Sequence, residues 1–273
     1  MKPAISIVVV SFEMNRQITN TVKSLTPPLQ RTKSTVPYEI IVVDNGSTVV
    51  PQGLTHLGNV LVVQMRNPTM SPGPAINFGL ELSRGKVVGI IPDGARMVSP
   101  CLLAEALKVI EKDENSIVGT YAYHLGTEPQ PRSVATGYSP EIEERMLKES
   151  HWLEDSDALF SIAVLEDDRF FPGTLPPEST ATFLSRSALK KIGGMNEKFI
   201  MPGGGLVNHE FWSRCCNHSE FDITMLSGQG TFHQIHGGVS TNSVKSKWEA
   251  FTGEFQQITG SSYVEPRVRY RVV

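Results

Sequence analysis

The chain has 273 residues, 40% of them hydrophobic and 19% charged, which suits one large domain or two interlocked halves able to bury a full core. Its formal net charge of -3 leaves no basic footprint for neutralising phosphates, so a nucleic acid polymer is excluded as a partner. The apolar runs are too short for a transmembrane segment and no cleavable leader opens the chain, so a cytoplasmic protein is expected. Cys101 and the adjacent pair Cys215-Cys216 form neither a disulfide framework nor a spaced metal cluster, and are read as reduced.

The first strand is expected over residues 5–10, followed by a helix from Asn15 whose inward stripe is Ile18, Val22 and Leu25, stopped by Pro27-Pro28. Strands follow at 39–43 and 60–63, and a loop with Pro68, Pro72, Gly73 and Pro74 opens a second helix running through Gly79 and Leu82. A strand at 87–91 comes next, and Ser99-Pro100 reads as an N-cap with proline at the first helical position. Three apolar runs end alike: Ile5–Val10 at Ser11, Glu39–Val43 at Asp44-Asn-Gly, and Val87–Ile91 at Pro92-Asp93. Strand and helix alternate as in a mostly parallel sheet covered on both faces, where ligands bind at the carboxyl edge.

Beyond Tyr123 the texture changes. Residues 124–180 carry six of the 18 prolines and acidic clusters at 141–144, 154–157 and 166–168. The clusters at 141–144 and 166–168 read as solvated faces, with Asp167 or Asp168 as an alternative base. A strand is expected at 180–184, a short helix at 187–192 ended by Gly193-Gly194, and a helical stretch at 210–216 after the glycine run 203–205. No repeat or linker divides the chain. Met195, Met201 and Phe199 read as core or pocket wall, and Trp152 and Trp212 as buried rings rather than sugar platforms.

The order Ile5-Ser-Ile-Val-Val-Val-Ser11, Ile40-Ile-Val-Val-Asp-Asn-Gly-Ser-Thr48, Asn77-Phe-Gly79, Ser83-Arg-Gly-Lys86, Asp93 and Ala188-Leu-Lys-Lys-Ile-Gly-Gly-Met-Asn-Glu-Lys-Phe199 resembles family-2 glycosyltransferases of the GT-A fold. The resemblance runs well over 4–123 and in part over 180–236. It implies one α/β, GT-A-like domain over 1–273, its mostly parallel central sheet flanked by helices. Residues 1–123 would form a nucleotide-sugar-binding half, and the mixed half 124–273 would bind the acceptor. The implied activity is transfer of a hexosyl or related sugar from a nucleotide-diphosphate donor to a saccharide or other hydroxyl acceptor. The family's usual course is inversion and its usual setting polysaccharide or glycoconjugate biosynthesis.

Such a transfer needs the nucleoside held, the diphosphate charge neutralised and a base for the acceptor's proton. Resemblance assigns Ser11, Glu13, Asp44, Asn77 and Arg84 to the donor pocket. An Asx-turn is the alternative for Asp44, and a solvated helix face the alternative for Asn77 and Arg84. The family's metal signature has two aspartates one residue apart, but here the second is replaced in Asp93-Gly-Ala95, and Ala95 cannot ligate a hard cation. Arg96 is therefore expected to meet the diphosphate, against the alternative of an ordinary surface arginine.

At the expected base the run is Val207-Asn-His-Glu-Phe-Trp-Ser-Arg214, so an amide, Asn208, replaces the acid. Glu210 is favoured over His209, and a structural pair between Glu210 and Arg214 one helical turn later is the rival. His233 and His236 lie between the glycine pairs Gly228/Gly230 and Gly237/Gly238, where backbone can approach a ligand. They are expected to meet the diphosphate, and a site with Asp93 and His233 would take Mn2+ or Mg2+, with manganese better suited to mixed oxygen and nitrogen ligands. Metal independence is the other expectation, resting on Arg96. The alternative functions are a catalytically degenerate nucleotide-sugar-binding paralogue, suggested by Ala95 and Asn208, and a nucleotidyltransferase, which lacks its usual glycine-rich loop after the first strand.

Overall fold

The computed structural model describes residues 2–32, 36–170, 174–237 and 247–273. Its amino-terminal half is built from strands β1 (Ile5–Ser11), β2 (Tyr38–Asp44), β3 (Val60–Gln64) and β4 (Val87–Ile91), with helices α1 (Asn15–Ser24), α2 (Gly73–Leu82) and α3 (Leu102–Lys112). β1 pairs in parallel with β2 and β4, and β2 with β3. These strands are almost wholly apolar because both faces are covered. Val8, Val10, Ile41 and Val43 pack with Ala75, Ile76 and Leu80 of α2, whereas Ile7, Val9, Ile40 and Val42 pack with Ile18 and Val22 of α1 and Leu103 of α3. Each such aliphatic side chain contributes about 1.5–3 kcal/mol by leaving water. Gly79 lets α2 lie directly on β1, since a Cβ there would stand 2.4 Å from Val8 Cγ1.

The remaining strands are β5 (Arg96–Val98), β6 (Ser116–Leu125), β7 (Ala163–Leu165), β8 (Thr182–Ser185), β9 (Asp222–His233) and β10 (Tyr270–Val272). The helices are α4 (Gln130–Ser133), α5 (Pro140–Glu149), α6 (Ala158–Ser161), α7 (Arg186–Ile192), α8 (Val207–Asn217) and α9 (Trp248–Thr259). One sheet carries both halves, in the order β10-β9-β6-β8-β4-β1-β2-β3, with β5 added to β9 and β7 to β6. β8 runs antiparallel to both β4 and β6, so β6 is parallel to β4, and β9 is parallel to β6. The carboxyl ends of β1, β2, β4, β6 and β9 therefore point to one edge.

The ladder between β6 and β9 is interrupted. Gly119 pairs with Met225 and Tyr121 with Gly230, after which register holds to His124 opposite His233. β5 and β9 were not legible as strands in the sequence. β5 has only three residues, and the Gly228–Gly230 stretch inside β9 reads as loop. Ser99 is not the cap of α3: the N-cap is Cys101, and the Ser99 hydroxyl donates to Gln229 Oε1 instead. Among the described residues no helix is long and apolar enough to cross a membrane.

Candidate active site

At the carboxyl edge the turn after β4 presents Asp93. Its Oδ1 accepts from the Ala95 amide at 2.9 Å, which fixes the carboxylate and leaves Oδ2 turned toward the end of β9. There Oδ2 lies 3.1 Å from His233 Nε2 and 3.6 Å from His236 Nε2, and the two Nε2 atoms are 3.0 Å apart. The fully buried Gln130 determines which atoms carry lone pairs. Its Nε2 donates to the His233 carbonyl at 2.9 Å, so its Oε1 is the acceptor facing His233 Nδ1 at 2.6 Å. His233 therefore carries its proton on Nδ1 and offers a lone pair at Nε2. The Gln130 backbone N–H donates to His124 Nδ1 at 3.0 Å, leaving a buried Nε2–H on His124 with no hydrogen-bond partner.

The electrostatics keep the acid charged and the imidazole neutral. Burial works to raise the Asp93 carboxyl, yet the histidine pair at its Oδ2, with a proton available from His236, outweighs burial and holds it well below the usual carboxylate range. Burial, helped by the nearby Arg96 charge, lowers His233 to about 4. Arg96 stands opposite His233 in the β5–β9 pair and is only 6% exposed. Its Nε is 3.8 Å from Asp93 Oδ2 and its Nη1 3.8 Å from Glu166 Oε2, and both nitrogens lack hydrogen-bond partners. A buried guanidinium with two unused donors is suited to receive phosphate oxygens. The surface reading of Arg96 is thereby corrected.

Asp93, Arg96, His233 and His236 are thus brought together. Ser11, Glu13 and Asp44 lie along the same edge, at the ends of β1 and β2. Ser11 Oγ is buried without a partner. Glu13 Oε1 accepts from Thr48 N and Oγ1 at 2.7 and 2.6 Å, tying the two loops together. Asp44 is fully buried, and both its oxygens are taken by Ser47, Oδ2 by the amide at 3.1 Å and Oδ1 by the hydroxyl at 2.5 Å. It forms the Asx-type turn that shapes the loop.

Three assignments are corrected by position. Arg84 sits in the loop entering β4, at the amino edge of the sheet, where it pairs with Glu39 near the start of β2. Asn77 spends its amide on the chain after α7: Oδ1 accepts from Met195 N at 2.8 Å, and Nδ2 donates to Met195 O at 3.0 Å and Glu197 at 2.7 Å. Glu210 is bound side-on by Arg214, at 2.7 Å from Nε and 3.0 Å from Nη2, while the same guanidinium donates to the carbonyls of Ile192 and Gly194. This cluster ties α8 to the end of α7, so Glu210 is structural. Trp152 and Trp212 are buried as read. Gly238 lies outside the described residues.

The reading missed Gln130, His124, Glu166 and Glu178. Glu166, read as part of a solvated face, instead faces Arg96 and His124 Nε2, the latter at 3.8 Å, and burial raises its carboxyl. Glu178 approaches α8, where Asn208 Nδ2 donates to its Oε2 at 2.5 Å and His209 Nδ1 stands 3.7 Å away. An apolar strand end before Glu166 was a usable signal; nothing in the sequence marked Gln130.

The sheet is largely parallel, an acid and two histidines converge at its carboxyl edge, and the fold is that of GT-A glycosyltransferase structures. Residues 6–193 match the family model described as Glycosyl transferase family 2, and the chain belongs to that family. Among solved structures it is similar to S. aureus TarS 1–349 in complex with UDP-GlcNAc, at TM-score 0.60 and 18% identity over 97% of this chain and 68% of that one. It is also similar to mannosyltransferase PcManGT from Pyrobaculum calidifontis in complex with GDP-Man and Mn2+, at TM-score 0.57 and 13% identity over 97% and 67%. The chain spans 43% of a longer TarS structure, to which it is 16% identical at TM-score 0.57. No curated protein sequence matches it significantly.

Proposed function

We propose that this glycosyltransferase moves a sugar from a nucleoside-diphosphate donor to a hydroxyl acceptor with inversion, in polysaccharide or glycoconjugate assembly. The observation that carries the reading is the meeting of Asp93, His233 and His236 beside the under-used Arg96. The donor would lie over the ends of β1, β2 and β4, with Ser11 and the Glu13–Thr48 bridge at the nucleoside and Arg96 at the diphosphate. The acceptor would enter from the half 124–273.

The donor set suits a divalent cation: one carboxylate oxygen and two ring nitrogens converge, and Asp93 Oδ1 and His233 Nδ1 are each held by another partner. Asp93, His233 and His236 would hold it, with His236 in place of the missing second aspartate, and the mixed ligands favour manganese. When bound, such an ion neutralises charge on the leaving diphosphate. Arg96 adds fixed positive charge at the same place, while Gln130 keeps His233 in the tautomer that presents its lone pair. The complexes of TarS with UDP-GlcNAc and of PcManGT with GDP-Man and Mn2+ support this class of donor.

The test is binding and turnover with UDP-GlcNAc and GDP-mannose, each with EDTA and with Mn2+. The expected result is a rise in melting temperature with one donor, largest with Mn2+, and release of nucleoside diphosphate when an acceptor is added. No stabilisation by either donor in any condition contradicts the reading.

A further inference from the structure

An inverting transfer needs a base, and neither Asn208, an amide, nor Glu210, which is held by Arg214, can serve. A different carboxylate stands beside Asn208. Glu178, in the loop that leads into β8, directs Oε2 at Asn208 Nδ2, and among the described residues its Oε1 has no hydrogen-bond donor. Glu178 and Glu166 line one small cavity together with Thr120, Tyr121 and Pro177. Glu166 is the residue that faces Arg96, and Arg96 in turn faces Asp93, so the cavity adjoins the diphosphate side of the site. Beside Glu178 the His209 ring stands edge-on to Tyr263 and Trp248, with centroids 5.4 and 6.2 Å away.

We propose that Glu178 is the catalytic base: the acid has moved from the first turn of α8 to the facing loop, and Asn208, left in the acid's former place, now holds it. The proposal rests on the transferase reading above. In the step, the acceptor oxygen forms a bond to the anomeric carbon and the bond from that carbon to the diphosphate oxygen breaks. Its electron pair leaves on the nucleoside diphosphate, and the hydroxyl proton passes to Glu178 Oε1. Burial alone would raise the Glu178 carboxyl, but His209 and Asn208 outweigh burial and keep it lowered, with Arg96 assisting and Asp93 opposing. Glu166 and Tyr263 are the other titratable groups that face it. Glu166 turns its two oxygens toward Arg96 and His124 and away from α8.

The test uses the full chain with UDP-GlcNAc and GDP-mannose as donors, Mn2+ present, and p-nitrophenyl glycosides as acceptors, reading released nucleoside diphosphate. E178Q keeps the shape and should lower turnover at least ~100-fold while preserving the donor-induced rise in melting temperature. Adding N208D to E178Q returns a carboxylate to the same spot and should recover at least ~10-fold of that loss. N208D alone places two carboxylates together and should move the acid limb of the pH profile upward, which a structural Glu178 would not do. Turnover of E178Q within about threefold of wild type overturns the proposal. So does loss of donor stabilisation together with turnover in E178Q. Wild type that binds a donor but releases nothing with any acceptor, or that binds no donor, overturns the transferase reading itself.

Discussion

His233 Nε2 and Asp93 Oδ2 face each other at 3.1 Å, and the hydrogen bond from His233 Nδ1 to Gln130 makes both of them acceptors. Two lone pairs at that distance repel unless a proton or a cation lies between them. His236 Nε2, 3.0 Å from His233, can supply such a proton, but the three atoms together suit a metal better.

Mn2+ should therefore raise the stability of the wild-type chain, by about 2.7 kcal/mol at a hundredfold excess over Kd. D93N and H233A should abolish the effect and H236A should weaken it. Thermal melts across a Mn2+ titration, with EDTA as the reference, check this without any need for turnover.

Arg96 offers a contrast between stability and binding. Its two unpaired, buried nitrogens cost desolvation that the distant carboxylates offset only in part, so R96M should melt at or above the wild-type temperature. The same variant should lose most of the stabilisation given by UDP or GDP. Calorimetric melts with and without nucleotide separate the two effects.

Glu210 and Arg214 should behave as scaffold. E210A leaves the guanidinium without its carboxylate and should cost about 2 kcal/mol, less than a fully buried pair because the Arg214 side chain is 32% exposed. Per-molecule turnover well below the melting temperature should stay within about threefold of wild type. Urea denaturation and steady-state rates read the two quantities.

His124 gives stability a defined acid dependence. Burial, with Arg96 and His233 nearby, lowers it to about 2, against an ordinary value near 6.5. In the unfolded chain it takes up a proton below that ordinary value, but in the fold it does not. Its contribution is complete above about pH 6.5 and is lost as pH falls toward 2, at up to about 1.4 kcal/mol per pH unit. H124N keeps an acceptor for the Gln130 amide and removes the titration. Unfolding free energies at pH 7 and pH 5 should differ less for H124N than for wild type.

The parallel half was legible because strands buried on both faces must be continuous apolar runs, and the turns after Ser11, Asp44 and Ile91 had to mark their ends. Asp93, Arg96, His233 and His236 stood out because polar groups at such ends, or between glycines, are easily seen. The rest depends on partners distant in sequence. Gln130 acts on His233 from 103 residues away, and Glu178 meets Asn208 across 30. Glu210 looked like an acid at the right place in its motif, and only the three-dimensional course of α7 revealed Arg214 bridging it to Ile192 and Gly194.

The interruption between β6 and β9 matters most for where change can be absorbed. Leu226 to Gln229 of β9 stand where β6 has Thr120 alone, and an unbroken ladder from the Gly119–Met225 pair would put Gly230, not His233, opposite His124. The bulge uncouples two lengths of one strand: residues 222–225 answer to the packed interior, and residues 230–233 answer to the chemistry. Insertions or deletions at Leu226–Gln229 would slide the histidine end past its neighbours while leaving the interior in place, so this short stretch works as an adjusting screw for the position of His233.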